Sequence, residues 1–185
     1  MIKLIKAIGI IGATFPYLFI VASIVLSPWF SIYNNALSDL GSISRNGYVA
    51  YVFNLGVMMA GLFTISFNLL LSYVKRSWKF LLWTPLFTAS SISLFLIGVF
   101  NEDAGGIHGT VSVIFFLTAV VTMLVYSFLS WPLGTPKIGA LSLVFGITCA
   151  IIWFGQWPWH GVAIQETASI IMTSIWLILV SLKNV

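Results

Sequence analysis

Six side chains in this 185-residue sequence are carboxylates or imidazoles: Asp39, Glu102, Asp103, Glu166, His108 and His160. These are the groups able to carry a proton, polarise a bond or ligate a hard metal near neutral pH. Three of them fall within nine residues, in "NEDAGGIHG" at 101–109. Ser112 follows His108 by four positions and continues its helical face inward. Glu166 stands in "GVAIQETASII", a carboxylate between apolar turns. An ionisable group inside such a run is costly unless it is protonated, paired or turned toward water, which makes it a candidate functional group. Ala163, Ser169 and Thr173 share its helical face, and that small, polar stripe should meet other helices rather than lipid.

A second group lies in "YNNALSDLGSISRNG", a long connection beside the usual two to eight or so residues of a helical hairpin. Asp39 there can cap a local turn. Alternatively the segment folds over the helices, so that Ser38 and Asp39 complete a polar pocket above Asn54. The working expectation is that Asp39, His108, His160 and Glu166 converge as catalytic groups. Asn35, Ser38, Asn54, Glu102 and Ser112 would line the same site and bind substrate. Glu102 and Asp103 can equally be read as solvated loop residues, since loops are polar by default.

Zinc accepts histidine and carboxylate ligands, and it stays open as a cofactor. None of its strong spacings, H-E-x-x-H or C-x-x-C, is present. Haem is disfavoured, because both histidines fall near a membrane surface rather than deep between helices. Cys149 is mid-span and reads as a packing residue.

The elements that must position these groups follow from composition. The chain is 60% hydrophobic and 6% charged, against about 25% charged in soluble domains. Its long apolar runs are read as membrane spans. The expected fold class is all-α: one polytopic transmembrane domain over 1–185, a bundle of six helices near 7–30, 48–74, 80–100, 109–130, 138–156 and 162–182. The first run follows Lys3 and Lys6 as a signal peptide would, but it is too long for one and no A-x-A-like site follows it, so it is expected to be retained.

Alternating helices put Lys3, Lys6, Lys75, Arg76, Lys79, Lys137 and Lys183 on one side and leave Arg45 on the other. By the positive-inside rule both termini are cytoplasmic, and the acids and histidines lie at the opposite, extracytoplasmic face of a cell membrane. Trp29, Tyr33, Trp157 and Trp159 would form the outer aromatic belt, and Trp78, Trp83 and Trp131 the inner one. The net charge of +4 is a topology signal; no basic patch for nucleic acid exists.

"NALSDLG" before the second span, "FNLG" within it, "GVFNE" followed by "IHG", and a glutamate early in the last span resemble the six-helix membrane family known as domain of unknown function 998. The resemblance covers nearly the whole chain. It implies that Asn35, Ser38, Asp39, Gly41, Asn54, Gly56, Glu102, His108 and Glu166 are its shared residues, and it implies no activity. Thr167 stands where the family pattern has a basic residue after the last glutamate, which counts against an ion-paired role for Glu166.

Three functions fit these observations. A membrane-embedded, hydrolase-like enzyme acting on a lipid or small molecule needs a pocket joining the scarce ionisable groups. A proton- or ion-coupled transporter built around Glu166 needs a path onward through the bundle. A structural or accessory subunit needs an exposed lateral groove. Membrane lipids are the expected partners, with a membrane-protein partner or a homo-oligomer also open.

Overall fold

A computed structural model describes residues 1–183, and within them the chain is all helical, with six helices long and apolar enough to cross a membrane. The first span is built from α1 (Ile2–Thr14) and α2 (Pro16–Val25), and the second contains α3 (Ile43–Asn46) and α4 (Ala50–Val74). The third joins α5 (Trp78–Leu81) to α6 (Thr84–Val99). The last three are α7 (Gly106–Leu129), α8 (Pro136–Phe154) and α9 (Ala163–Lys183).

The breaks have identifiable causes. Pro16 has no N–H to donate back to the preceding turn, and its ring crowds the carbonyl there, so α1 stops at Thr14 and α2 starts on the proline itself. Pro85 plays the same part at the first turn of α6. The first span also ends earlier than hydropathy alone suggests, at Val25, because Pro28 cannot continue a helix and biases Ser27 away from helical backbone.

The helices close into a ring. α4 packs against α1, α2 and α6; α6 against α7; α7 against α8; α8 against α9; and α9 against α1. Close approach depends on small residues. A Cβ on Gly61 would lie 2.6 Å from the Phe95 backbone nitrogen, so α4 and α6 touch backbone to backbone there. Lys6 Nζ donates to the Leu182 carbonyl at 3.1 Å, which sets the two terminal helices side by side. We call this the terminal end and the opposite one the capped end.

The terminal half is filled by aromatic rings. Trp176 meets Trp83, Tyr126 and Phe87 with centroids 5.7, 5.5 and 5.0 Å apart at 84–85°, the edge-to-face geometry that ring quadrupoles favour. Trp83 is therefore core, at 0% exposure, and not part of an interfacial belt. The joint between α5 and α6 turns it inward.

Candidate functional site

The capped end is closed by the segment between α2 and α4. Its centre is a 3-10 turn, Leu37–Gly41, buried at Leu37, Ser38, Leu40 and Gly41. So short a turn cannot satisfy its own backbone. Side chains from several elements do it instead. The Asp39 carboxylate accepts from the Ala36 amide at 3.2 Å, and the Asn46 amide donates to the Leu40 carbonyl at 2.9 Å. Asn54 on α4 donates to the Gly41 carbonyl at 2.9 Å. From α9, Glu166 Oε2 accepts the Leu37 N–H at 2.5 Å. From the connection before α7, Glu102 Oε2 accepts the Ser38 hydroxyl at 2.7 Å. Two carboxylates thus take adjacent residues of one turn.

Glu102 also meets His108, whose Nε2 lies 2.9 Å from the same Oε2. His108 Nδ1 is 2.7 Å from the Phe100 carbonyl, and a carbonyl only accepts, so Nδ1 carries a proton. Ser112 Oγ is 3.3 Å from Nε2. Donation by His108, and then by Ser38, holds the Glu102 carboxyl below its ordinary 4.5 against an opposing effect of burial. Glu102 is therefore ionised at neutral pH, and Nε2 donates to it as Nδ1 donates to Phe100.

The remaining expected residues have other places. Asp39 Oδ2 accepts from Asn35 Nδ2 at 2.8 Å and from Arg45 at 3.1 Å, and Arg45 stacks on Trp29 at 4.1 Å. Asp39 and Asn35 thus hold the cap together beside the turn. Asn35 also accepts the Ala163 N–H on its carbonyl at 2.9 Å, tying the cap to the start of α9. The His160 imidazole is exposed and hydrogen-bonds to none of these groups; its backbone N–H pairs with the Tyr33 carbonyl at 3.0 Å. The structure therefore brings Ser38, Glu102, His108, Ser112 and Glu166 together around one turn, with Asn54 behind it, and leaves His160 outside. Among the described residues no group of three or more His, Cys, Asp and Glu is arranged to hold a metal ion.

Asp103 is a clasp rather than a free loop residue. Its carboxylate accepts the hydroxyls of Ser42 and Ser44 at 2.7 and 2.6 Å and the amides of Ile43 and Ser44 at 2.6 and 3.1 Å. The Ser44 and Ser42 hydroxyls are the main reason its carboxyl is held down from 3.8 to about 2. In the opened state it would protonate near the ordinary value. The clasp therefore contributes fully above pH 3.8 and is lost as pH falls through about 2. Asp103→Ala should open it at any pH, because the Ile43 and Ser44 N–H groups and the Ser42 and Ser44 hydroxyls all lose their acceptor. Hydrogen exchange at those two amides is expected to speed up in the variant; unchanged protection would show that the clasp contributes nothing.

Beneath the turn lies a cavity of about 100 Å³, smaller than the roughly 300–1,000 Å³ typical of sites for drug-sized molecules. Leu37, Ser38 and Glu166 form its roof, and Thr64, Phe87 and Leu177 its far end. Its walls are mainly apolar, and Ser112 and Tyr17 also line it. The sequence reading missed Tyr17, whose only signal was a hydroxyl beside the mid-span Pro16. The Tyr17 hydroxyl donates to the Ile170 carbonyl at 3.1 Å and to Ser174 Oγ at 2.9 Å.

The family described as "Protein of unknown function (DUF998)" has a model that matches residues 10–183. No curated protein and no solved structure matches the chain.

Proposed function

The chain belongs to the DUF998 family of integral membrane proteins, and for this member we propose a membrane-embedded, hydrolase-like enzyme that acts on a lipid at the capped end. The observation that carries this reading is the position of Ser38. It lines an apolar cavity and donates its hydroxyl to a carboxylate that is itself held by a histidine. A nucleophilic hydroxyl has that relation to its base. Ser38 Oγ would attack the carbonyl of an ester or amide while its proton passes to Glu102. His108 would orient Glu102 and balance its charge. Glu166, in the cavity roof, would deliver a proton to the leaving group. The low proton affinity of Glu102 keeps it in the accepting form throughout the physiological range. It also means that the proton moves during the attack rather than before it.

The aromatic cluster of Trp83, Tyr126 and Trp176 fills the bundle beyond the far end of the cavity. That argues against a transport path toward the terminal end. A second reading, lipid binding by an accessory subunit without chemistry, is favoured by one feature: Ser38, Glu102 and His108 already satisfy one another.

Purified protein with a panel of ester- and amide-linked lipids separates the two. Turnover that falls about 10²-fold or more in Ser38→Ala supports the enzyme. Bound lipid that is never cleaved supports the subunit.

We place the capped end outside the cytoplasm because seven of the eight basic residues, all except Arg45, lie at the terminal end. A cysteine at Asp103 should react with an impermeant thiol reagent in intact cells, and one at Lys79 should not. The reverse pattern would invert the assignment.

A further inference from the structure

Resting on that lipid-acting reading, we propose that the cavity is a socket for one acyl chain of a lipid in the leaflet at the capped end, and that its far end limits chain length. Three helices give its depth. It is lined from Glu166 to Leu177 on α9, from Phe53 to Thr64 on α4 and from Ile97 to Phe87 on α6. Each stretch amounts to about 15–17 Å at roughly 1.5 Å per residue. That is close to half of the roughly 30 Å hydrocarbon core, so the socket belongs to one leaflet. Carbon–carbon bonds of about 1.5 Å advance about 1.25 Å per atom along an extended chain. About twelve carbons therefore fill the depth.

The walls suit an apolar occupant. Thr64 donates its hydroxyl to the Ala60 and Gly61 carbonyls, Ser91 to Phe87, and Ser90 to Phe115. These hydroxyls are satisfied by backbone and ask for no water in the lumen. Lower on the wall the Tyr17 hydroxyl is bonded to Ser174, with Thr173 beside it, and at the roof Ser38 and Glu166 would meet the linkage next to the chain. A way in from the membrane would lie beside α2. Below Pro16, α1 packs on both α4 and α9; above it, α2 packs mainly on α4. Tyr17 bridges the resulting seam to Ile170 and Ser174 on α9, and Ile20 and Ile170 line the cavity beside it.

The chain leaves one apolar medium for another, so selectivity arises from fit rather than from exclusion of water. A chain longer than the socket must bend or protrude, and a shorter one leaves a void that forfeits contacts.

The experiment is competition binding of single-chain lysophosphatidylcholines of short, matched and long chain length to the full-length protein in detergent, read by native mass spectrometry. One lipid per protein is expected, with the matched chain preferred about tenfold over the long one. Leu177→Ala removes the far wall and should move the optimum to longer chains. Ala60→Leu intrudes on the side wall and should move it to shorter ones. Leu69→Ala, on the exposed face of α4, should leave it unmoved. Melting curves check that all three variants fold, and opposite shifts from the two cavity variants cannot come from general destabilisation. A flat profile in the parent protein, or the same optimum in both cavity variants, overturns the socket. If the optimum shifts as expected but no lipid is ever cleaved, the socket stands and the enzyme reading fails. If cleavage depends on Ser38 while the profile is flat, the reverse holds.

Discussion

Glu166→Gln is expected to leave the protein folded and inserted while lowering lipid turnover by about 10²–10⁴-fold, the usual contribution of a positioned acid or base. Glu166 is 8% exposed, and its carboxylate accepts the Leu37 N–H at 2.5 Å. A glutamine carbonyl can accept the same bond, so the 3-10 turn keeps its anchor. What the amide cannot do is deliver a proton to a leaving group. Glu166→Leu should behave differently. It strands the Leu37 N–H in a buried place, at a cost of about 1–3 kcal/mol, and should lower the melting temperature along with activity. The comparison therefore separates chemistry from scaffolding: turnover in the two variants beside their melting curves. A Gln variant with full turnover would assign Glu166 to holding the turn and would favour the accessory-subunit reading.

The six helices were legible because lipid leaves the backbone no choice. Long runs with almost no charge must satisfy their own hydrogen bonds, and few structures do so. Helix ends were less legible, since hydropathy does not register backbone. Pro28, not polarity, ends the first span near Val25. The gathering of scarce ionisable groups at one end could also be read from the charge pattern. Their pairing could not. Ser38 and Glu102 are 64 positions apart, and Leu37 and Glu166 are 129 apart, and no local spacing encodes such meetings. His160 looked equivalent to His108, because each precedes a glycine near the start of a helix. His108 begins inside α7 and turns into the bundle, whereas His160 lies in the connection before α9. The cavity was invisible for a related reason. Gly12, Ala13 and Ala60 line it, yet small residues read the same in sequence whether they let two helices touch or leave a space between them.

The pairing of Glu102 with His108 makes the last expectation quantitative. His108 is 5% exposed, and both its ring nitrogens are engaged. His108→Ala strands the Phe100 carbonyl and removes the stronger partner of Glu102. It should cost about 1.5–3 kcal/mol, as for hydrogen bonds to charged groups, with turnover falling about 10²-fold because Glu102 loses its orientation. Glu102→Gln should cost less, about 1 kcal/mol or below, since its side chain is 36% exposed and water screens what is lost. In the double variant the costs should fall short of additivity by roughly 0.5 kcal/mol or more, the sign of a direct contact. The acid side gives an independent check. The Glu102 carboxyl is held below its ordinary 4.5, chiefly by the His108 hydrogen bond. An unfolded chain therefore takes up that proton before the folded one does. The stabilisation is complete above pH 4.5 and is lost as pH falls through the lower folded value. The melting-temperature difference between the parent protein and Glu102→Gln should hence be constant from neutrality down to about pH 4.5 and shrink below it. A difference that stays constant into strong acid would mean that Glu102 is not the ionised partner of His108. It would also remove the base from the proposed attack by Ser38.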